Sequence, residues 1–298
     1  MTAVRTDAGL DASLDVLAPP PPPERAAPKP RTRKVSRRRL KIAASQLLVL
    51  VVFFAAWQFL PLIPALAAAS HLFDPYFVSS PTRVAVSVYN LAVGANGQVL
   101  VWPYLGQTIF TSVIGTIIGI VLGGLGGLIL SNFAFMSAVL RPFVVALNAT
   151  PRIALIPVVV IICGVTQTTS IVIAVMVVFF VAFFNAYEGG ISIPQPMVQN
   201  ARLLGADNFR ILSKVRVQYV LAWTIAGLPL AATFAIISVV TGEILTGFHG
   251  AGFLLTSAET TGDSSLTFAV VIYLATLGLA VVIIAEGLRK RVLHWWAR

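Results

Sequence analysis

Five stretches of this chain run without a single Asp, Glu, Lys or Arg: Ile42–Phe73, Val84–Leu140, Ile153–Tyr187, Val217–Gly242 and Ser264–Ala285. Nothing in the sequence constrains the fold more. A helix crosses the hydrocarbon of a bilayer in about 20 residues, and each stretch is long enough to do so. Charged residues are 11% of the chain, against about 25% in a soluble domain. Residues 1–41 hold ten of the 21 Lys and Arg and four of the 11 Asp and Glu, which leaves the other 257 residues only 18 charges. A chain so sparse in charge cannot keep a water-exposed surface soluble. The expected fold class is therefore all-α and polytopic, with membrane lipid around it. The net charge of +10 reads as orientation and affinity for anionic lipid rather than nucleic-acid binding.

Two segments are expected. Residues 1–41, rich in Ala and Pro with Pro19 to Pro23 in a row, bury too little apolar area to offset chain entropy and read as a disordered basic tail. Residues 42–298 form the transmembrane domain. The tail ends in Ser36-Arg37-Arg38-Arg39-Leu40-Lys41, which has the look of a twin-arginine export signal, with Ala65-Leu66-Ala67 as a cleavage site. The apolar run that follows is longer than a signal core, so a cytoplasmic anchor for the first span is preferred.

Within Val84–Leu140 the part up to Gly106 carries Asn90, Gly94, Asn96, Gly97, Gln98 and Pro103. That part reads as an interfacial helix and loop. Six spans are then expected, near 44–62, 108–130, 142–163, 169–187, 218–243 and 265–287. Lys and Arg accumulate on the cytoplasmic side, so the tail lies inside. Six crossings return Arg289-Lys290-Arg291 to the same side and place Arg202, Arg210, Lys214 and Arg216 there too. Only Arg83 is left outside. Both termini are therefore expected to be cytoplasmic.

In the second span Gly115, Gly119, Gly123 and Gly127 recur every fourth residue. They form one bare ridge that lets another helix backbone come close. The spacing leaves open whether that helix belongs to this chain or to another subunit.

Between the fourth and fifth spans, residues 189–218 form a cytoplasmic loop. Pro194 and Pro196 open a short helix over Met197 to Leu204, and Gly205 stops it and provides a hinge. Asp207 caps a second, Asn208 to Val217, with Phe209, Leu212 and Val215 on one side and Arg210 and Lys214 on another. Nothing in the chain is expected to cover the apolar side.

This loop resembles one in the inner-membrane permeases of binding-protein-dependent ABC importers. That family's pattern is Glu-Ala-Ala, three residues, Gly, nine residues, then Ile-x-Leu-Pro. Here the alignment reads Gln199-Asn200-Ala201, Gly205, then Val215-Arg216-Val217-Gln218. Ala201 and Gly205 match and Val215 and Val217 are conservative, while Gln199, Asn200 and Gln218 depart. Further along the chain stand Ser80-Pro81-Thr82-Arg83, Thr150-Pro151-Arg152-Ile153-Ala154-Leu155-Ile156-Pro157, Gly242-Glu243 and Gly250-Ala251-Gly252-Phe253. Together they resemble the nitrate/sulfonate/taurine-type branch over residues 45–292. The resemblance implies a pore subunit moving a small, anionic solute, with Gln199, Asn200, Ala201, Gly205, Phe209, Val215 and Val217 coupling it to a cytoplasmic ATPase. It also implies two ATP-binding subunits carrying ATP and Mg, a second permease copy or paralogue, and a periplasmic or lipid-anchored solute-binding protein.

No Gly-x4-Gly-Lys-Ser/Thr occurs, and none of the five lysines follows a glycine. ATP hydrolysis is thus expected in a partner, and this chain is expected to be neither an enzyme nor a cofactor carrier. His71, His249 and His294 are isolated, so no metal site is expected. The single Cys163 sits in an apolar run and reads as a buried, inert thiol. The rival function is a membrane scaffold or passive channel, which leaves the paired loop helices unexplained.

Arg152 lies about ten residues into the third span, between Pro151 and Pro157. An arginine at hydrocarbon depth costs about 2.5–3.5 kcal/mol on insertion scales, which makes it a functional candidate. Two readings stand. Either Arg152 faces the pathway as a counter-charge for an anion, or it pairs with Glu188 or Glu243 or snorkels to a headgroup.

Overall fold

The charge-free stretches become helices in the computed structural model, which describes residues 37–63 and 74–295. Residues 1–36 of the expected tail and His71 lie outside the described residues. The chain divides into two units between residues 52 and 53. The described part of the first is the beginning of α1 (Arg37–Phe59). There Leu47 to Val52 are exposed in succession, as expected of a helix surrounded by lipid.

The second unit holds the remaining helices. A helix in the stretch expected to be interfacial, α2 (Pro81–Val93), opens on Pro81 and ends at Gly94 in the left-handed conformation. Among the described residues, four helices are long and apolar enough to cross a membrane: α3 (Trp102–Asn132), α6 (Gln167–Ile191), α10 (Leu228–Thr246) and α12 (Ser264–Val292). Asp263 caps α12, accepting the Leu266 N–H at 3.0 Å.

The third expected span is not straight. Thr150 precedes Pro151 and is pushed into the extended region, so α4 (Ala134–Ala149) ends there. A 3-10 turn, Arg152–Leu155, leads into α5 (Ile156–Cys163). The two halves meet at 84° and make either a broken span or a re-entrant loop. Counting the pair once gives five candidate spans, and α1 contributes a shorter apolar helix, Ala44–Phe59. The fifth expected span is also divided: α9 (Val217–Ala226) and α10 join at Gly227, where Pro229 removes a backbone donor.

α6 is the central helix and packs on α3, α5, α9 and α10. The glycine ridge of α3 supplies its closest approach. A Cβ on Gly119 would stand 2.6 Å from the Val178 Cβ, and one on Gly127 2.6 Å from the Ala186 Cβ. At Gly115 and Gly123 it would collide with Ala174 and with the Phe179 carbonyl. The ridge's partner is therefore in this chain. Contacts advance together along both helices, so α3 and α6 run parallel. Apolar association gains little in lipid, and close dispersion contact takes its place. Antiparallel α10 closes on the other side of α6, with Val178, Ala231 and Ala235 buried together.

At the end of the bundle where α3 begins, α2, α3, α12 and α11 (Ala251–Thr260) enclose Leu91, Val101, Leu105, Leu254 and Val270. Tyr273 donates its hydroxyl to the Val88 carbonyl at 2.9 Å there. Cys163 departs from expectation. It is only partly buried, at the end of α5 against the Ile156–Val159–Ile173 cluster.

Candidate functional site

The loop between α6 and α9 folds on its own small core. Pro194 is extended and Pro196 sits in the first turn of α7 (Gln195–Leu203), where a missing N–H costs nothing. The helix stops at Gly205, φ +83°. The Gly205 N–H donates to the Arg202 carbonyl and the Ala206 N–H to the Ala201 carbonyl, both at 2.9 Å. This crossed pair is a Schellman stop. Gly205 thus terminates α7 in the left-handed conformation. Asp207 then caps α8 (Asn208–Ile211), its carboxylate accepting the Arg210 N–H at 3.0 Å. A π segment, Leu212–Arg216, carries the chain into α9.

Ile193, Val198 and Ile211 are buried together, with Ala201, Ala206, Val215 and Tyr219 against them. The apolar side of these helices is covered by the loop itself. Phe209 and Val215 do not share a face. Val215 turns inward, one turn on from buried Ile211 and on the same face of the helix, whereas Phe209 points out and is 72% exposed. Gln199, Asn200 and Gly205 are exposed as well, Ala201 is packed inside, and Val217 is half-buried at the start of α9. Leu203 and Leu204, absent from the sequence-based site, are 85% and 89% exposed. Leu203, Leu204 and Phe209 therefore stand outward around the Gly205 turn, flanked by exposed Arg202 and Arg210. Three large apolar side chains are thus displayed on an otherwise polar turn. The signal available in sequence was the Leu-Leu-Gly run itself, since residues adjoining a helix stop cannot all turn inward.

Glu243 takes a different place from the loop. It lies in α10 with 1% of its surface exposed. The Thr108 hydroxyl stands 2.9 Å from each carboxylate oxygen, and the Gly252 N–H donates to Oε2 at 2.9 Å. The Ala251 N–H donates to the Thr108 hydroxyl at 2.9 Å. Glu243 and Thr108 thereby satisfy two free N–H groups at the start of α11. Gly250 is needed beside them, because a Cβ there would fall on the Glu243 carboxylate. Next to this tie Tyr104 stacks on His249, ring centres 4.1 Å apart. Arg152 opens the 3-10 turn at the 84° break; its side chain lies outside the described ones. Among the described residues, no three His, Cys, Asp or Glu gather as metal ligands.

A broken apolar bundle with an apolar-tipped loop is the architecture of a polytopic membrane protein. The chain belongs to the family of inner membrane components of binding-protein-dependent transport systems, whose model matches residues 115–294. A probable ABC transporter permease protein of Haemophilus influenzae is 27% identical over 245 residues, covering 82% of this chain and 95% of that protein. The taurine transport system permease protein TauC of Escherichia coli is 23% identical, over 76% and 83% of the two chains. The putative aliphatic sulfonates transport permease protein SsuC of Bacillus subtilis is 22% identical, over 84% and 86%. These two belong to the branch that the motifs resemble. A chain of the MetNI methionine ABC transporter, solved in inward facing conformations, shares the fold at a TM-score of 0.56 and 17% identity, over 65% of this chain and 96% of that one. The protein is an ABC importer permease subunit of an inner membrane, with ATPase and solute-binding partners.

Proposed function

We propose that the Leu203–Leu204–Phe209 tip is the coupling contact, seated in a cleft of a separate cytoplasmic ATPase. The observation that carries this reading is the exposure of those three side chains on a turn locked by Gly205. A rigid knob transmits a push, whereas a flexible loop would absorb it. Closure of two ATPases on ATP and Mg then moves the bundle, and a second permease copy or paralogue supplies the other half of the pore. The chain crosses six times, with α1 and the broken α4–α5 pair each counted as one span and both termini cytoplasmic. Charge supports that orientation. Arg202, Arg210, Lys214 and Arg216 lie at one end of the bundle with Arg289, Lys290 and Arg291, as Leu228 and Leu288 lining one cavity indicates. Glu259 and Asp263 lie at the other.

The solute is a small anion delivered by an external binding protein. Among relatives, the aliphatic sulfonates transport permease favours this class, and the formylaminopyrimidine, riboflavin and taurine transport permeases mark the range of the family. Arg152, at the break in the third span, is the counter-charge on the pathway. Leu203→Ser, Leu204→Ser and Phe209→Ala tested in the complex with its ATPase should abolish the ATP hydrolysis stimulated by loaded binding protein while leaving membrane insertion unchanged. Full stimulation in all three variants would remove the tip from the coupling role.

A further inference from the structure

The permease holds a second charged feature, distinct from the coupling tip and from Arg152. A cavity of about 800 Å³ opens where α3 and α6 end, along α4 from its first turn to Val145 and just before α9, with Arg141 and Arg216 on its wall. Ser131, Asn132 and Ser137 line it as well. No carboxylate borders it, and among the described residues neither arginine is in an ion pair. Glu188, the nearest acid in sequence on α6, is exposed and outside the lining.

The site is organised from beneath by Tyr187. That ring is buried with Leu130 and Phe183, so its position is set by the core. Its hydroxyl is 2.6 Å from the Ser137 hydroxyl, and the Arg141 guanidinium lies over its face, 5.7 Å from the ring centre. A cation–π contact uses no hydrogen-bond acceptor, so the guanidinium N–H donors remain available to a ligand. Two unpaired guanidinium forks facing neutral hydroxyl and amide groups match the tetrahedral oxygens of a phosphate, which accept bidentate bonds from arginine. Next to these polar groups, Pro142, Val145 and Ile191 also line the cavity, and Val145 and Ile191 are exposed. A ligand with both a phosphate and an alkyl chain fits this pairing.

We propose that this cavity binds the phosphate of an anionic phospholipid headgroup, with Arg141 and Arg216 as its two donors. Basic pockets between membrane helices at the cytoplasmic surface suit such headgroups. The assignment to the inner leaflet rests on the orientation proposed above; the binding itself does not.

The test uses the full-length chain in detergent micelles, mixed with equal amounts of dioleoylphosphatidylglycerol and dioleoylphosphatidylcholine, with retained lipid counted by native mass spectrometry. Wild type should retain phosphatidylglycerol in clear preference, and the Arg141→Gln/Arg216→Gln pair should lower that preference at least about fivefold, as loss of charged hydrogen bonds implies. Arg141→Lys/Arg216→Lys keeps the charge and removes the fork, so it should also fall, and it carries the test if the Gln pair fails to fold. Arg202→Gln, on the exposed loop, should retain lipid as wild type does. Equal retention in wild type and both double variants would overturn the site. Inorganic phosphate at millimolar concentration displacing phosphatidylglycerol from the wild type would overturn the lipid as the source. Neither readout uses ATP or a transported solute, so a failed coupling experiment and a failed headgroup experiment remain separate results.

Discussion

Thr108 and Glu243, 135 residues apart in sequence, meet with the threonine hydroxyl 2.9 Å from both carboxylate oxygens. The same hydroxyl accepts the Ala251 N–H, and the carboxylate accepts the Gly252 N–H. One tie thus joins the start of α3, the end of α10 and the first turn of α11. Without it, α11 would present buried N–H groups with no acceptor.

Thr108→Val is expected to destabilise the folded chain by about 1–3 kcal/mol, the usual consequence of stranding buried polar partners. Glu243→Gln should lose far less. Its amide oxygen can accept from Gly252 and its NH2 can face the Thr108 hydroxyl, whose proton then turns to the Tyr104 carbonyl at 3.1 Å. Thermal unfolding of the purified chain measures both. A Gln variant as unstable as Glu243→Ala would mean that the negative charge, and not the hydrogen-bond pattern, is what α11 requires.

The glycine ridge offers a contrast within a single helix. Gly123→Ala drives a methyl group into the Phe179 carbonyl, and Gly127→Ala drives one against Ala186 and the Phe183 carbonyl. Each should cost about 1–3 kcal/mol, as overpacking does. Gly124→Ala meets only the Thr224 methyl at 3.8 Å, and Gly106→Ala meets nothing within 4 Å. Both should express and unfold like wild type. Similar behaviour of all four variants would show that α3 and α6 do not touch along this face.

At Gly205 the constraint is conformational. A Cβ would meet nothing within 4 Å, but φ is +83°. Gly205→Ala should destabilise the loop by about 1–2 kcal/mol, the strain of the left-handed region for an ordinary residue. Gly205→Asn should be milder, because asparagine tolerates that region. Protease sensitivity of the loop in the intact protein would rank the two. Equal resistance of Ala and Asn variants would contradict the Schellman stop.

Arg152→Gln should lower uptake of an anionic solute about tenfold or more, the effect of removing one charged hydrogen bond. The amount of assembled permease–ATPase complex should stay level. If the complex is lost instead, Arg152 holds the break at Pro151 together and the pathway role falls. Measuring uptake beside the complex yield separates the two outcomes.

Local signals in the sequence act within one or two helical turns, and what they govern was legible. The charge-free stretches placed the apolar helices. The polar part of Val84–Gly106 foretold α2 and its loop. Asp207 and Gly205 marked the cap and stop of the loop helices, because both act on N–H and carbonyl groups within five residues. The i+4 glycines declared a packing face without naming its partner.

What the chain brings together over long distances could not be read that way. Val215 turns inward and Phe209 outward because the loop closes Ile193, Val198 and Ile211 into a core of its own, and only the folded loop shows which face that core takes. Proline at 151 permits a break, but the 84° between its halves is set by how α5 packs on α6. Arg141, Tyr187 and Arg216 become neighbours only once the glycine ridge has drawn α3 onto α6 and aligned the helix ends. The sequence alone determined a membrane-embedded, all-helical chain with one capped, partner-ready loop, since hydropathy and capping are local physics. Tertiary structure alone decided which side chains the loop displays, what Glu243 holds and where two arginines converge, since those depend on close packing between segments far apart in the chain.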